Sequence, residues 1–128
     1  MPTVADLAEE PFVSLTTYRQ SGAPVATPVW VAADGDGLAI TTMDGSGKVR
    51  RVRRDPHVTL RPCDRRGRVE DGAPTVEARA EVVESPSGVE ALTARVKAKY
   101  GLQFRFVMGI GAVLGGRHDR VALRVVDA

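Results

Sequence analysis

The chain has 128 residues, 43% hydrophobic and 27% charged, with a formal net charge of +2 and one cysteine, Cys63. That is room for one domain over residues 1–128 with one moderate core, free of low-complexity tracts and internal repeats. So small a charge weighs against non-specific nucleic-acid binding, a lone cysteine excludes an intramolecular disulfide, and no apolar run approaches the ~20 residues of a membrane span.

Thr3-Val4-Ala5-Asp6 has the form of a capping box with Asp in place of Glu, opening a short helix that ends before Pro11. Phe12 to Tyr18 reads as a strand, Arg19 to Ala23 as a turn, and Val25 to Ala33 as a second strand. Asp34-Gly35-Asp36-Gly37 is a hairpin signal, because glycine and aspartate tolerate positive φ. Leu38 to Thr42 is the third strand, followed by the turn-prone Asp44-Gly45-Ser46-Gly47. Lys48, Arg50, Arg51, Arg53 and Arg54 then place five cations in seven positions of a short helix. Val49 and Val52 fall on its inner face and leave the arginines around the outer faces. Asp55-Pro56 stops it, since the residue before proline is pushed out of the helical region.

His57 to Cys63 is the fourth strand, and the polar stretch Asp64 to Pro74 an exposed loop. Val76 to Val82 alternates apolar with polar residues, as a half-buried strand does. Pro86 to Tyr100 carries Val89, Leu92, Val96 and Tyr100 at helical spacing, with Ser85 or Ser87 as cap and Gly101 as stop. Phe104 to Leu114 is apolar but holds Gly109 and Gly111, each costing ~1 kcal/mol in a helix, so a weak helix or packed loop is expected. Arg120 to Val126 closes the chain as the sixth strand. Hairpin order without a long crossover among the first three strands points to a mainly β antiparallel barrel, whose closure removes exposed edges.

A strand, a glycine turn and a short basic helix can hold an anion. Backbone N–H groups at a helix start face a phosphate, and Lys48 is a point charge within reach. A solvated basic face and a nucleic-acid stripe are the competing readings. A nucleotide P-loop is excluded, because Val49 follows Gly47-Lys48 and Thr42 stands where its first glycine should be. His57 and His118 read as polar surface residues, and Cys63 as a small buried hydrophobe. There is no HExxH, cysteine pair or GxSxG motif, and Asp34 and Asp36 begin a calcium loop that no glutamate completes. An anion site without evident acid, base, nucleophile or metal suits an enzyme whose reactive atom belongs to a cofactor. The N-terminus lacks a basic-then-apolar signal, so a cytoplasmic location is expected.

GAPVATPVWV (22 to 31), LAITT (38 to 42) and SGKVRRVRRDPHVTLRPC (46 to 63) resemble the pyridoxamine-phosphate-oxidase-like split β-barrel superfamily, and within it the deazaflavin (coenzyme F420)-dependent oxidoreductases. The resemblance implies a six-stranded antiparallel split β-barrel of FMN-binding type with two to four short helices. It implies a cofactor ring along Thr27, Pro28, Val29 and Trp30, and a phosphate held by Thr41, Thr42, Ser46, Gly47 and Lys48. It further implies a homodimer with the cofactor at the interface and hydride transfer to a small organic acceptor. FMN is the alternative cofactor, and a non-catalytic flavin or haem binder the alternative function. Flavin-binding oxidases of this kind carry an Arg-x-x-x-x-Lys pair along the second strand, whereas Ala26 to Val31 holds no cation. Five cations match the glutamate tail of F420 better than one phosphate, with Arg54 expected to contribute more than Arg51. Arg61 is a charge in a strand where a small residue is expected.

Overall fold

The computed structural model describes residues 2–43, 45–101 and 120–128. The expected features at Asp44, Phe104 to Leu114 and His118 lie outside them. A short 3-10 helix, Val4–Leu7, precedes β1 (Val13–Tyr18), β2 (Pro24–Val29), β3 (Ala32–Asp34) and β4 (Gly37–Met43). Then follow α1 (Gly47–Arg54), β5 (His57–Pro62), β6 (Val76–Val83), α2 (Pro86–Tyr100) and β7 (Arg120–Asp127).

The local signals act as their chemistry requires. Asp6 accepts from the Thr3 N–H at 2.8 Å. Ser46 Oγ accepts from the Val49 N–H at 3.4 Å and Ser85 Oγ from the Gly88 N–H at 3.2 Å, each cap satisfying a helix-start donor. Gly35, at φ +59°, opens the two-residue turn between β3 and β4.

All strands lie in one antiparallel sheet in the order β2-β1-β5-β6-β7-β4-β3. The sheet has seven strands rather than six, because the expected second strand breaks at Trp30-Val31 into β2 and β3, which end at opposite edges. No ladder joins these edges, so hydrogen bonding does not close the expected barrel among the described residues. The sheet is nonetheless curled. Six strand spacings would hold flat edges about 29 Å apart, whereas the Cα steps from Val29 to Ala32 span at most about 11 Å.

The concave face holds the main core, including Val13, Leu15, Val31, Leu38, Ile40, Val58, Leu60 and Leu123. Val4 and Leu7 join this core from one end and Val52 of α1 from the other. A fully buried valine contributes about 1.5–3 kcal/mol relative to an exposed one, so Val49 and Val52, both buried, fasten α1 in place. On the opposite face Leu92 and Val96 of α2 pack against Ala32, Ala39 and Ala122.

Candidate functional site

The open seam follows from the pairing. β2 pairs only with β1, while β4 pairs with β3 only over Gly37, Leu38 and Ala39. Beyond that point β2 and the Ile40–Met43 half of β4 face each other unpaired. They form a fork with its apex at Trp30-Val31 and α1 leading off the end of one arm. Thr27, Pro28, Val29 and Trp30 lie on one arm and apex, Thr41 and Thr42 on the other, and Ser46, Gly47 and Lys48 beyond the end of β4. Thr41 and Thr42 direct their side chains to opposite faces of the sheet. Thr42 is buried on the face of Leu38 and Ile40.

At the start of α1, Lys48 is half-buried. Burial, then the neighbouring Arg51, pull its ammonium below the ordinary lysine value. It has no hydrogen-bond or ion-pair partner among the described residues. Arg51 departs from the expected outer face: its Nε donates to Thr17 Oγ1 at 2.6 Å, and its Nη1 lies 2.7 Å from where a Cβ on Gly47 would sit. Glycine at this position therefore lets the guanidinium fold over the first turn of the helix. Burial, then Arg19 and Arg50, lower the Arg51 pKa, so Arg19, Lys48, Arg50 and Arg51 share one region.

The remaining arginines are engaged elsewhere. Arg53 pairs with Glu84, and Arg54 donates to the Tyr18 carbonyl. His57 pairs with Glu77 and stacks on Tyr18 at a ring separation of 5.1 Å, an arrangement of the outer sheet face. Asp34, which began the calcium-like pattern, forms an ion pair with Arg95 and accepts from Arg124, at 3.0 Å each.

The apex is clamped by residues that the sequence does not single out. Lys99 Nζ donates to the carbonyls of Ala8, Glu10 and Val31 at 2.7, 2.6 and 2.6 Å. Tyr100 Oη accepts from the Val31 N–H at 3.1 Å and donates to the Pro11 carbonyl at 2.8 Å. Its ring stacks on Trp30 at 4.4 Å and 10°, which covers one face of the indole. Burial lowers the Lys99 pKa and raises that of Tyr100. Nothing local announces these roles, since every partner lies at least 68 residues away.

A cleft of about 910 Å³ opens beside Pro11, Pro62, Cys63 and the loop from Arg68 to Pro74. Arg61 closes one side of that loop by donating from Nη2 to the Ala73 carbonyl at 3.0 Å. Burial, then Asp64, raise the Cys63 pKa and hold the thiol protonated.

The profile of the pyridoxamine 5'-phosphate oxidase family matches residues 3–126, and the chain belongs to that family. No curated protein matches it. Among solved structures, an F420 reductase is 24% identical, covers 96% of this chain and 91% of its own, and superposes with a TM-score of 0.60. The haem storage protein HutZ of Vibrio cholerae is 16% identical over 94% of this chain and 83% of its own, with a TM-score of 0.69. An FAD-binding protein of Mesorhizobium loti is 15% identical over 94% and 82%, with a TM-score of 0.66. At these identities the three speak for the fold, which hosts more than one cofactor. Among the described residues no helix is long and apolar enough to cross a membrane.

Proposed function

We propose that the protein is an oxidoreductase that transfers a hydride between coenzyme F420 and a small organic acceptor. The cofactor lies in the fork between β2 and β4, with its phosphate at the start of α1. One observation carries this reading: Lys48 is half-buried and has no partner among the described residues, beside a guanidinium folded over Gly47. A desolvated, unpaired cation is costly in the free protein and is relieved by an anion.

The site fits the group chemically. Lys48, Arg51 and the α1 amide groups would hold the phosphate, with Arg19 and Arg50 left for a longer anionic tail. That surplus of cations favours F420 over FMN, which offers a single phosphate. When bound, the deazaflavin supplies the hydride chemistry, while the chain binds, orients and shields it. Trp30, held by Tyr100, fixes the ring end of the fork. The acceptor would use the cleft beside Pro11 and Cys63, and a second copy would cover the exposed outer face of Pro24, Ala26 and Pro28 to complete the site.

Titration of the purified protein with F420 and with FMN, at about 20 mM and about 300 mM salt, tests the reading. Tighter binding of F420, strengthening with tail length and weakening with salt, supports it. Equal affinity for short and long tails at both salts reduces the arginines to a solvated face and returns FMN or haem as the cofactor.

A further inference from the structure

The free edge of β2 has an unusual composition, and its hydrogen-bonding parity follows from one contact. The Arg19 N–H donates to the Ala23 carbonyl at 2.9 Å, which makes that pair a hydrogen-bonded one. Bonded and non-bonded pairs alternate along an antiparallel ladder. In the register that runs Tyr18 to Pro24, Thr16 to Ala26 and Ser14 to Pro28, these three β2 residues are therefore the non-bonded ones. Their backbone groups point away from β1, into the fork. Two are prolines, which lack an N–H and are tolerated in a strand where that side is free. The edge thus offers three carbonyls and a single donor, the Ala26 N–H.

Such an edge is a poor template for another strand. A pairing chain would find no donor at Pro24 or Pro28, so the prolines protect the open sheet from strand addition. A small ligand that spans one residue is not so penalised. The N–H and C=O of a single extended residue lie side by side on one edge. Together they match a ring that presents an adjacent C=O and N–H, as a lactam or imide does.

We propose that the Ala26 backbone N–H and C=O form a two-point recognition site for the imide edge of a flavin-type ring, the N–H donating to a ring carbonyl and the C=O accepting from the ring N–H. This rests on the reading that the fork holds such a ring and adds the contact that selects it. Haem has no imide edge and gains nothing here. Gly67, at φ +88°, brings the loop after β5 against this edge, with its Cβ position 3.5 Å from Pro28 Cδ. Ala26 is exposed and lies outside this contact.

The test compares wild type, Ala26→Pro and Ala26→Ser, using F420, FMN and FMN methylated at the ring imide nitrogen as probes. Proline removes the donor without touching the β1 ladder, and serine keeps it. Wild type and Ala26→Ser should bind the unmethylated ring at least about tenfold more tightly than the methylated one. Ala26→Pro should fold with an unchanged thermal midpoint and bind about tenfold more weakly. Wild-type affinity in a folded Ala26→Pro, or no discrimination against the methylated ring, overturns the contact while leaving the cofactor reading standing. Loss of folding in Ala26→Pro also overturns it, because the amide would then belong to the sheet. If wild type binds none of the probes, the cofactor reading fails and the contact with it.

Discussion

Replacing Lys48 by methionine keeps the length and apolar stem of the side chain and removes only the charge. The ammonium has already lost part of its hydration to burial and is opposed by Arg51. Contact with a phosphate therefore demands little further desolvation, and the lost contact should lie within the ~1.5–3 kcal/mol typical of bonds to charged groups. That is about a ten- to hundredfold rise in Kd, read by equilibrium titration with F420 or FMN at low salt. The fold should not suffer, since no partner among the described residues is orphaned. The pH dependence has a definite sign. In the folded, unliganded protein Lys48 titrates below its ordinary value of 10.5, so across that alkaline window the unfolded chain binds more protons. Stability then rises with pH, and Lys48→Met should flatten the rise relative to wild type, Lys99 contributing equally to both proteins. Phosphate affinity moves the other way and falls as pH climbs through the same window. A Kd for Lys48→Met within twofold of wild type at low salt would refute the anion site.

Three further outcomes are expected. Gly47→Ala should push the Arg51 guanidinium off the first turn of α1 and weaken cofactor binding several-fold, with the thermal midpoint held or raised because alanine favours helix. Lys99→Met should leave three carbonyls without their donor, lower the urea-unfolding free energy by about 2–3 kcal/mol, and red-shift the emission of Trp30, the one tryptophan in the chain. Cys63 should react slowly with iodoacetamide at neutral pH, since burial and Asp64 keep the thiol protonated.

What the sequence discloses is local. The capping box from Thr3 to Asp6, the cap at Ser85, the alternation of β6 and the start and stop of α2 each depend on a few adjacent residues, and each is legible. The break at Trp30-Val31 is not, because Val29-Trp30-Val31 has strong strand character. The bend is imposed by Lys99 and Tyr100 from across the chain. Asp34 likewise reads only as part of a hairpin turn, and its pairing with Arg95 and Arg124 depends on residues far along the chain. For the candidate site, Ser46, Gly47 and Lys48 are contiguous and stand out, whereas the position of Arg51 depends on Thr17, 34 residues earlier. Arg54, expected to outrank it, is drawn to the Tyr18 carbonyl by the same accident of three-dimensional proximity.

The covalent link between the two edges of the sheet makes the fork a pair of tongs. Its hinge is a short stretch of chain held at a fixed point by α2, and its arms are strands each supported on one side only. Parting the arms would break no rung of either ladder, because neither arm is hydrogen-bonded to the other. A closed barrel of the same strands would have to break backbone pairs to open. In this chain the seam between the arms is left free of backbone pairs by where the polypeptide turns.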